Sequence, residues 1–167
     1  MKNTSRGIAS RDRELLSDRA MMSPNSSSGY AGDVAPAEAW AMLEADPKAQ
    51  LVDVRTRAEW NFVGLPDLSP VSRKVHLVEW QSFPTMAQNP QFVADTKAAL
   101  IDAGTDTPVL FLCRSGARSR AAAMALTEAG FSRAYNIAGG FEGDLDGERH
   151  RGLNNGWKAS GLPWRQS

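Results

Sequence analysis

The chain has 167 residues, 19 basic against 19 acidic side chains and a 42% hydrophobic share, which suits one domain of ordinary size with a real core. A formal net charge of +0 provides no bulk attraction to nucleic acid or an anionic membrane, and no apolar run approaches the ~18 residues of a membrane span. Residues 1–31 are polar, with Asp12, Glu14 and Asp18 interspersed; they lack both the apolar stretch of a secretory signal and the acid-poor character of a transit peptide. They read as a flexible N-terminal tail with one short helix near Arg11 to Met22, and residues 32–167 as a single domain.

Along the domain, Ala35-Pro36 opens a helix through about Ala45, because proline is tolerated in a first turn. Gln50 to Val54 reads as a strand, and Thr56 caps a short helix through Trp60. Lys74 to Trp80 alternates in the manner of a strand, and Asn89-Pro90 starts a helix through about Asp102, halted at Gly104. Pro108 to Cys113 is a run of apolar residues ending at a polar loop, which predicts a buried strand. The alanine-rich run Arg120 to Ala129 predicts a helix ending at Gly130, and Ala134 to Ile137 a last strand. Strands alternating with helices predict an α/β fold: a mostly parallel, five-stranded sheet with helices on both faces. No internal repeat is visible, so a single module is expected.

Cys113 is the only cysteine, so no internal disulfide can form, which fits a cytoplasmic location. It falls at the C-terminal tip of a strand, where ligands bind in open α/β sheets. The loop amides, the positive end of the following helix and the two arginines Arg114 and Arg118 all favour an anion there. A thiol so placed favours its ionised, nucleophilic form. A buried, inert thiol is the common alternative, but it has no need of arginines one and five positions downstream with Gly116 between them. Four residues separate Cys113 from Arg118, one fewer than in the loop with which thiolate phosphatases hold phosphate, so phosphatase or arsenate-reductase chemistry is disfavoured. The shorter ring of N–H donors suits a persulfide sulfur better.

The segment Cys113-Arg-Ser-Gly-Ala-Arg118 resembles the active-site loop Cys-Arg-x-Gly-x-Arg of the rhodanese family of sulfurtransferases. Leu51-Val-Asp-Val-Arg55, Glu59-Trp60 with Gly64, Asn136-Ile-Ala-Gly-Gly-Phe141, and Trp157 with Gly161-Leu-Pro163 carry the same resemblance from about Asp33 to Trp164. Two stretches depart from it. Gly64-Leu-Pro-Asp-Leu68 stands where the family has Gly-His-Ile-Pro-Gly-Ala, and residues 144–156 form an added segment before the closing tryptophan.

The resemblance implies a thiosulfate-type sulfurtransferase, moving a sulfane sulfur to a thiol or cyanide through a Cys113 persulfide. Arg114, Ser115, Gly116, Ala117, Arg118 and Ser119 are the expected substrate-binding positions. The arginines would hold a donor's sulfonate oxygens. Ser119 would bond the persulfide or cap the helix, and Gly116 would let the loop bend through positive φ or approach the sulfur closely. Asp53 and Arg55 read instead as a buried pair that pins loops. His76 and His150 are far apart and form no metal spacing, so no metal or organic cofactor is expected. Trp80, Phe83 and Met86 are candidates for the wall of the site's entrance. The expected partners are a small sulfur donor and a thiol acceptor, with neither nucleic acid nor membrane involved. An alternative is a sulfur-carrier module, loaded at Cys113 by a partner protein, with residues 144–156 and the tail as docking surfaces.

Overall fold

A computed structural model describes residues 29–167, and the short helix expected near Arg11 to Met22 lies outside them. The chain order is β1 (Gly32–Val34), α1 (Pro36–Ala45), β2 (Gln50–Asp53), α2 (Arg57–Phe62), β3 (Leu65–Pro66), a 3-10 turn (Ser69–Val71), β4 (His76–Leu77), β5 (Gln81–Ser82), β6 (Ala87–Gln88), α3 (Phe92–Ala99), β7 (Val109–Leu112), α4 (Ala117–Glu128), β8 (Ala134–Ile137) and β9 (Trp164–Arg165). Five strands form one sheet in the order β1-β8-β7-β2-β4, and every pairing in it is parallel. All five strands therefore point their C-terminal ends to one edge.

β7 lies at the centre of the sheet, and its four residues are fully buried. Because side chains alternate along a strand, Val109, Phe111 and then Cys113 join the core on one face, with Phe92, Ala122, Ala123 and Leu126 of α3 and α4. Leu110 and Leu112 join the other, with Ala39 and Leu43 of α1, Phe141 and Trp157. A parallel sheet covered on both faces needs such an unbroken apolar central strand. The small residues Ser119, Ala122 and Ala123 face the sheet from α4, which allows close helix–sheet approach.

Several boundaries differ from the sequence expectation. Tyr30 is buried and the Ala31 amide bonds the Ala134 carbonyl, so residues placed in the tail already dock on the sheet. α4 starts at Ala117 rather than Arg120, and α3 spans only Phe92–Ala99. Of Lys74 to Trp80, only His76 and Leu77 pair, with Val52 and Asp53. Trp80 leads instead into an antiparallel hairpin of β5 and β6. The C-terminal β9 returns to pair antiparallel with β3, an arrangement that two-residue strands do not announce in sequence.

Candidate active site

β7 delivers Cys113 to the sheet's C-terminal edge, where only 1% of the residue is exposed. The chain then turns through Arg114 and Ser115 to Gly116, whose φ of 118° is a left-handed value that favours glycine. This turn aims the Gly116 N–H back at the Cys113 sulfur, 3.0 Å away. Gly116 is also the N-cap of α4, so the sulfur lies at the positive end of a 12-residue helix. The Ser119 hydroxyl, within the first turn of that helix, is 3.1 Å from the same sulfur. The Gly116 amide and the helix end, converging on one sulfur, suit a sulfur anion.

The double-glycine turn after β8 braces this loop. Phe141 donates its amide to the Cys113 carbonyl at 2.8 Å, and Glu142 donates to the Arg114 carbonyl at 2.9 Å. Gly140 has a φ of 60°, and a Cβ there would overlap the Cys113 carbonyl oxygen. Residues 143–156 loop out through Asp144–Asn155 and Arg151–Gly143 contacts. They return Trp157 to full burial, where its amide bonds the Gly140 carbonyl.

The expected substrate-binding positions separate into distinct roles. Arg114 is exposed at the mouth of the loop, Ser115 is half-buried, and Ala117 is the exposed first residue of α4. Ser119 is no helix cap, since that position falls to Gly116; the residue is buried with its hydroxyl beside the sulfur. Arg118 is paired within the protein. Its Nη1 and Nη2 donate to the two carboxylate oxygens of Glu59 at 2.7 and 3.0 Å, so the fork faces protein. Glu59 also forms a capping box with Thr56 at the start of α2, which ties α2 to α4. Burial pushes the Glu59 carboxyl up, but the Arg118 hydrogen bonds and charge outweigh this and hold it below its usual value.

Asp53 and Arg55 play the expected structural part. Fully buried, Arg55 pairs with Asp53 at 2.7 Å, donates to the Gly64 carbonyl at 2.8 Å, and stacks 4.2 Å above the Phe141 ring. It thereby links the end of β2, the turn after α2 and the double-glycine turn. Trp80 packs edge-on against Phe92 and belongs to the core, while Phe83 and Met86 project from the hairpin into solvent.

Three residues escaped the sequence reading. Asn136, in β8, places Oδ1 2.6 Å from Ser119 Oγ and donates Nδ2–H to Asp33 at 3.0 Å. Tyr30 donates its hydroxyl to the same Asp33 oxygen at 2.8 Å. A polar chain thus runs from Tyr30 and Asp33 through Asn136 and Ser119 to the sulfur. Asp33 and Asn136 lie 103 residues apart, and no sequence motif joins the members of this chain.

The crystal structure of Rv0390 from M. tuberculosis is 54% identical, with a TM-score of 0.74, over 83% of this chain and 99% of that one. The solution structure of the polysulfide-sulfur transferase homodimer from Wolinella succinogenes shares the fold at 20% identity and a TM-score of 0.51, covering 93% of this chain and 92% of that one. Among sequence relatives, the uncharacterized protein RC0915 of Rickettsia conorii is 37% identical over 80% of this chain and 96% of its own. The thiosulfate sulfurtransferase GlpE of Actinobacillus succinogenes is 28% identical over 78% of this chain and 87% of its own. The model of the STR4 middle domain matches residues 31–167, from the strand that docks beside Asn136 to the last residue, and the chain belongs to that family.

Proposed function

We propose that the protein is a sulfurtransferase whose carrier is Cys113. The observation that carries this reading is the convergence of the Gly116 N–H and the α4 N-terminus on a buried sulfur. The relatedness to a thiosulfate sulfurtransferase supports it. In the first step the Cys113 thiolate attacks the outer sulfur of a sulfane donor such as thiosulfate. The donor's S–S bond breaks and sulfite leaves with the bonding pair, so Cys113 becomes a persulfide held by the N–H groups of residues 114–119. In the second, a thiolate or cyanide attacks the terminal sulfur and the Cys113 thiolate is restored. No step calls for a metal or an organic cofactor.

Arg118 bears on the choice of donor. With its fork committed to Glu59, the loop offers a donor one uncommitted guanidinium, that of the exposed Arg114. A single cation gives a free dianion such as thiosulfate less than the two arginines would. This favours a second reading, in which a partner protein's persulfide loads Cys113 and the chain acts as a relay. Cyanide-dependent turnover of thiosulfate, compared with loading by a protein persulfide, separates the two. Rapid thiosulfate turnover that disappears in Cys113→Ser supports the first; slow turnover with rapid protein-to-protein loading supports the second. Turnover that survives in Cys113→Ser contradicts both.

A further inference from the structure

We propose that Asn136, locked in one orientation by Asp33, is a positioning residue that withholds the Ser119 hydroxyl proton from the Cys113 sulfur. The inference rests on reading Cys113 as the nucleophile. Ser119 Oγ lies 3.1 Å from the sulfur and 2.6 Å from Asn136 Oδ1, yet a hydroxyl has one hydrogen to donate. Asp33 decides where it goes. Its carboxylate oxygen accepts from both Tyr30 and Asn136 Nδ2, and a carboxylate can only accept. The Asn136 amide must therefore turn its NH₂ to Asp33 and its oxygen to Ser119. That oxygen carries no hydrogen, so the short contact is made by the serine proton.

With its proton committed, Ser119 presents a lone pair to Cys113. A lone pair suits a protonated thiol, whose S–H donates to Oγ, and opposes a thiolate. The Gly116 N–H pulls the other way. For the thiolate to gain the hydroxyl as a donor, Ser119 must rotate and leave Asn136 Oδ1 without it, in a residue only 4% exposed. A hydrogen bond to a charged group is worth a factor on the order of ten or more in equilibrium. The relay therefore holds the nucleophile back in the unloaded protein, and any ligand that draws the hydroxyl away from Asn136 releases it. Among the described residues, the other charged groups near the sulfur are Arg114 on the loop, the Arg118–Glu59 pair of α4 and α2, and Asp53 with Arg55 at the end of β2. They act whichever way the hydroxyl points.

The test is the rate of Cys113 alkylation by iodoacetamide against pH, read by intact mass on the full chain. Asn136→Leu removes the competing acceptor. The titration midpoint is expected to fall by about one pH unit, with alkylation about tenfold faster below the midpoint. In a Ser119→Ala background the same substitution should move nothing. An unchanged or raised midpoint, or an equal shift in both backgrounds, would overturn the proposal. If Asn136→Leu does not fold, Asp33→Asn at an exposed position frees the amide to turn. The midpoint should then fall further with Ser119 present than with Ser119→Ala; an equal fall reflects the charge change alone and refutes the relay. Alkylation reads the thiol whether or not sulfur is transferred. Loss of persulfide formation with this pattern intact would therefore sink the sulfurtransferase reading and leave the relay standing.

Discussion

Glu59→Gln decides whether Arg118 is a clamp or a substrate group. The fork is bidentate, and its side chains are 17% and 20% exposed, so it lies between a solvated pair and a buried one. An exposed pair contributes about 0–1 kcal/mol, while breaking a buried pair by removing one partner costs about 3–5 kcal/mol. We expect a loss of about 2–3 kcal/mol. Glutamine still serves the capping box with Thr56, so most of the loss belongs to the fork. In a domain of this size that loss lowers Tm by about 5–10 °C. The pH dependence supplies a second check. Burial raises the Glu59 carboxyl, but the hydrogen bonds and charge of Arg118 outweigh it, leaving its pKa below the ordinary value. The folded-state pKa is thus lower than the unfolded one. The contribution is fully present above the ordinary carboxylate range and is lost as pH falls through the folded value. Thermal melts followed by circular dichroism should show the full gap between wild type and Glu59→Gln at pH 7, closing in acid below about pH 4. Arg118→Ala should match Glu59→Gln at pH 7, and the double variant should add little. Wild-type Tm for both single variants, with sulfite release slowed in Arg118→Ala, would return Arg118 to the donor site and refute the clamp.

Gly140→Ala should yield a protein that misfolds or loses the site, because the new Cβ would overlap the Cys113 carbonyl at a backbone φ of 60°; a soluble variant with wild-type turnover would show that the turn can shift freely. Arg114→Ala should raise KM for thiosulfate several-fold and leave Tm unchanged, since its guanidinium is exposed at the loop mouth. Trp157→Ala, which empties a fully buried site edge-on to Trp40, should cost about 3–5 kcal/mol in denaturant unfolding.

What the sequence discloses follows from how locally each feature is encoded. β7 is legible because a central parallel strand must be apolar on both faces, and Val109 to Leu112 is. The α1 start is legible from Pro36, and the α2 start from Thr56 and Glu59. The start of α4 is misplaced because Ser119 has the chemistry of a cap, whereas the positive φ that ends the loop falls to Gly116. The hairpin of β5 and β6 carries no apolar alternation, so nothing marks it. Within the site, Cys113 and Gly116 stand out through the spacing of one short motif. The partners of its side chains do not: Glu59 reaches Arg118 across 59 residues and Asn136 reaches Ser119 across 17. The pairing of Arg118 is illegible for that reason, since its carboxylate partner arrives through tertiary folding.

The claim that Cys113 carries the transferred sulfur is tested most directly by intact mass after thiosulfate treatment and desalting. Wild type should gain the mass of one sulfur atom, which cyanide then removes, while Cys113→Ser should gain none. A wild-type mass unchanged by thiosulfate and by a protein persulfide donor, or an added sulfur retained in Cys113→Ser, would contradict the account.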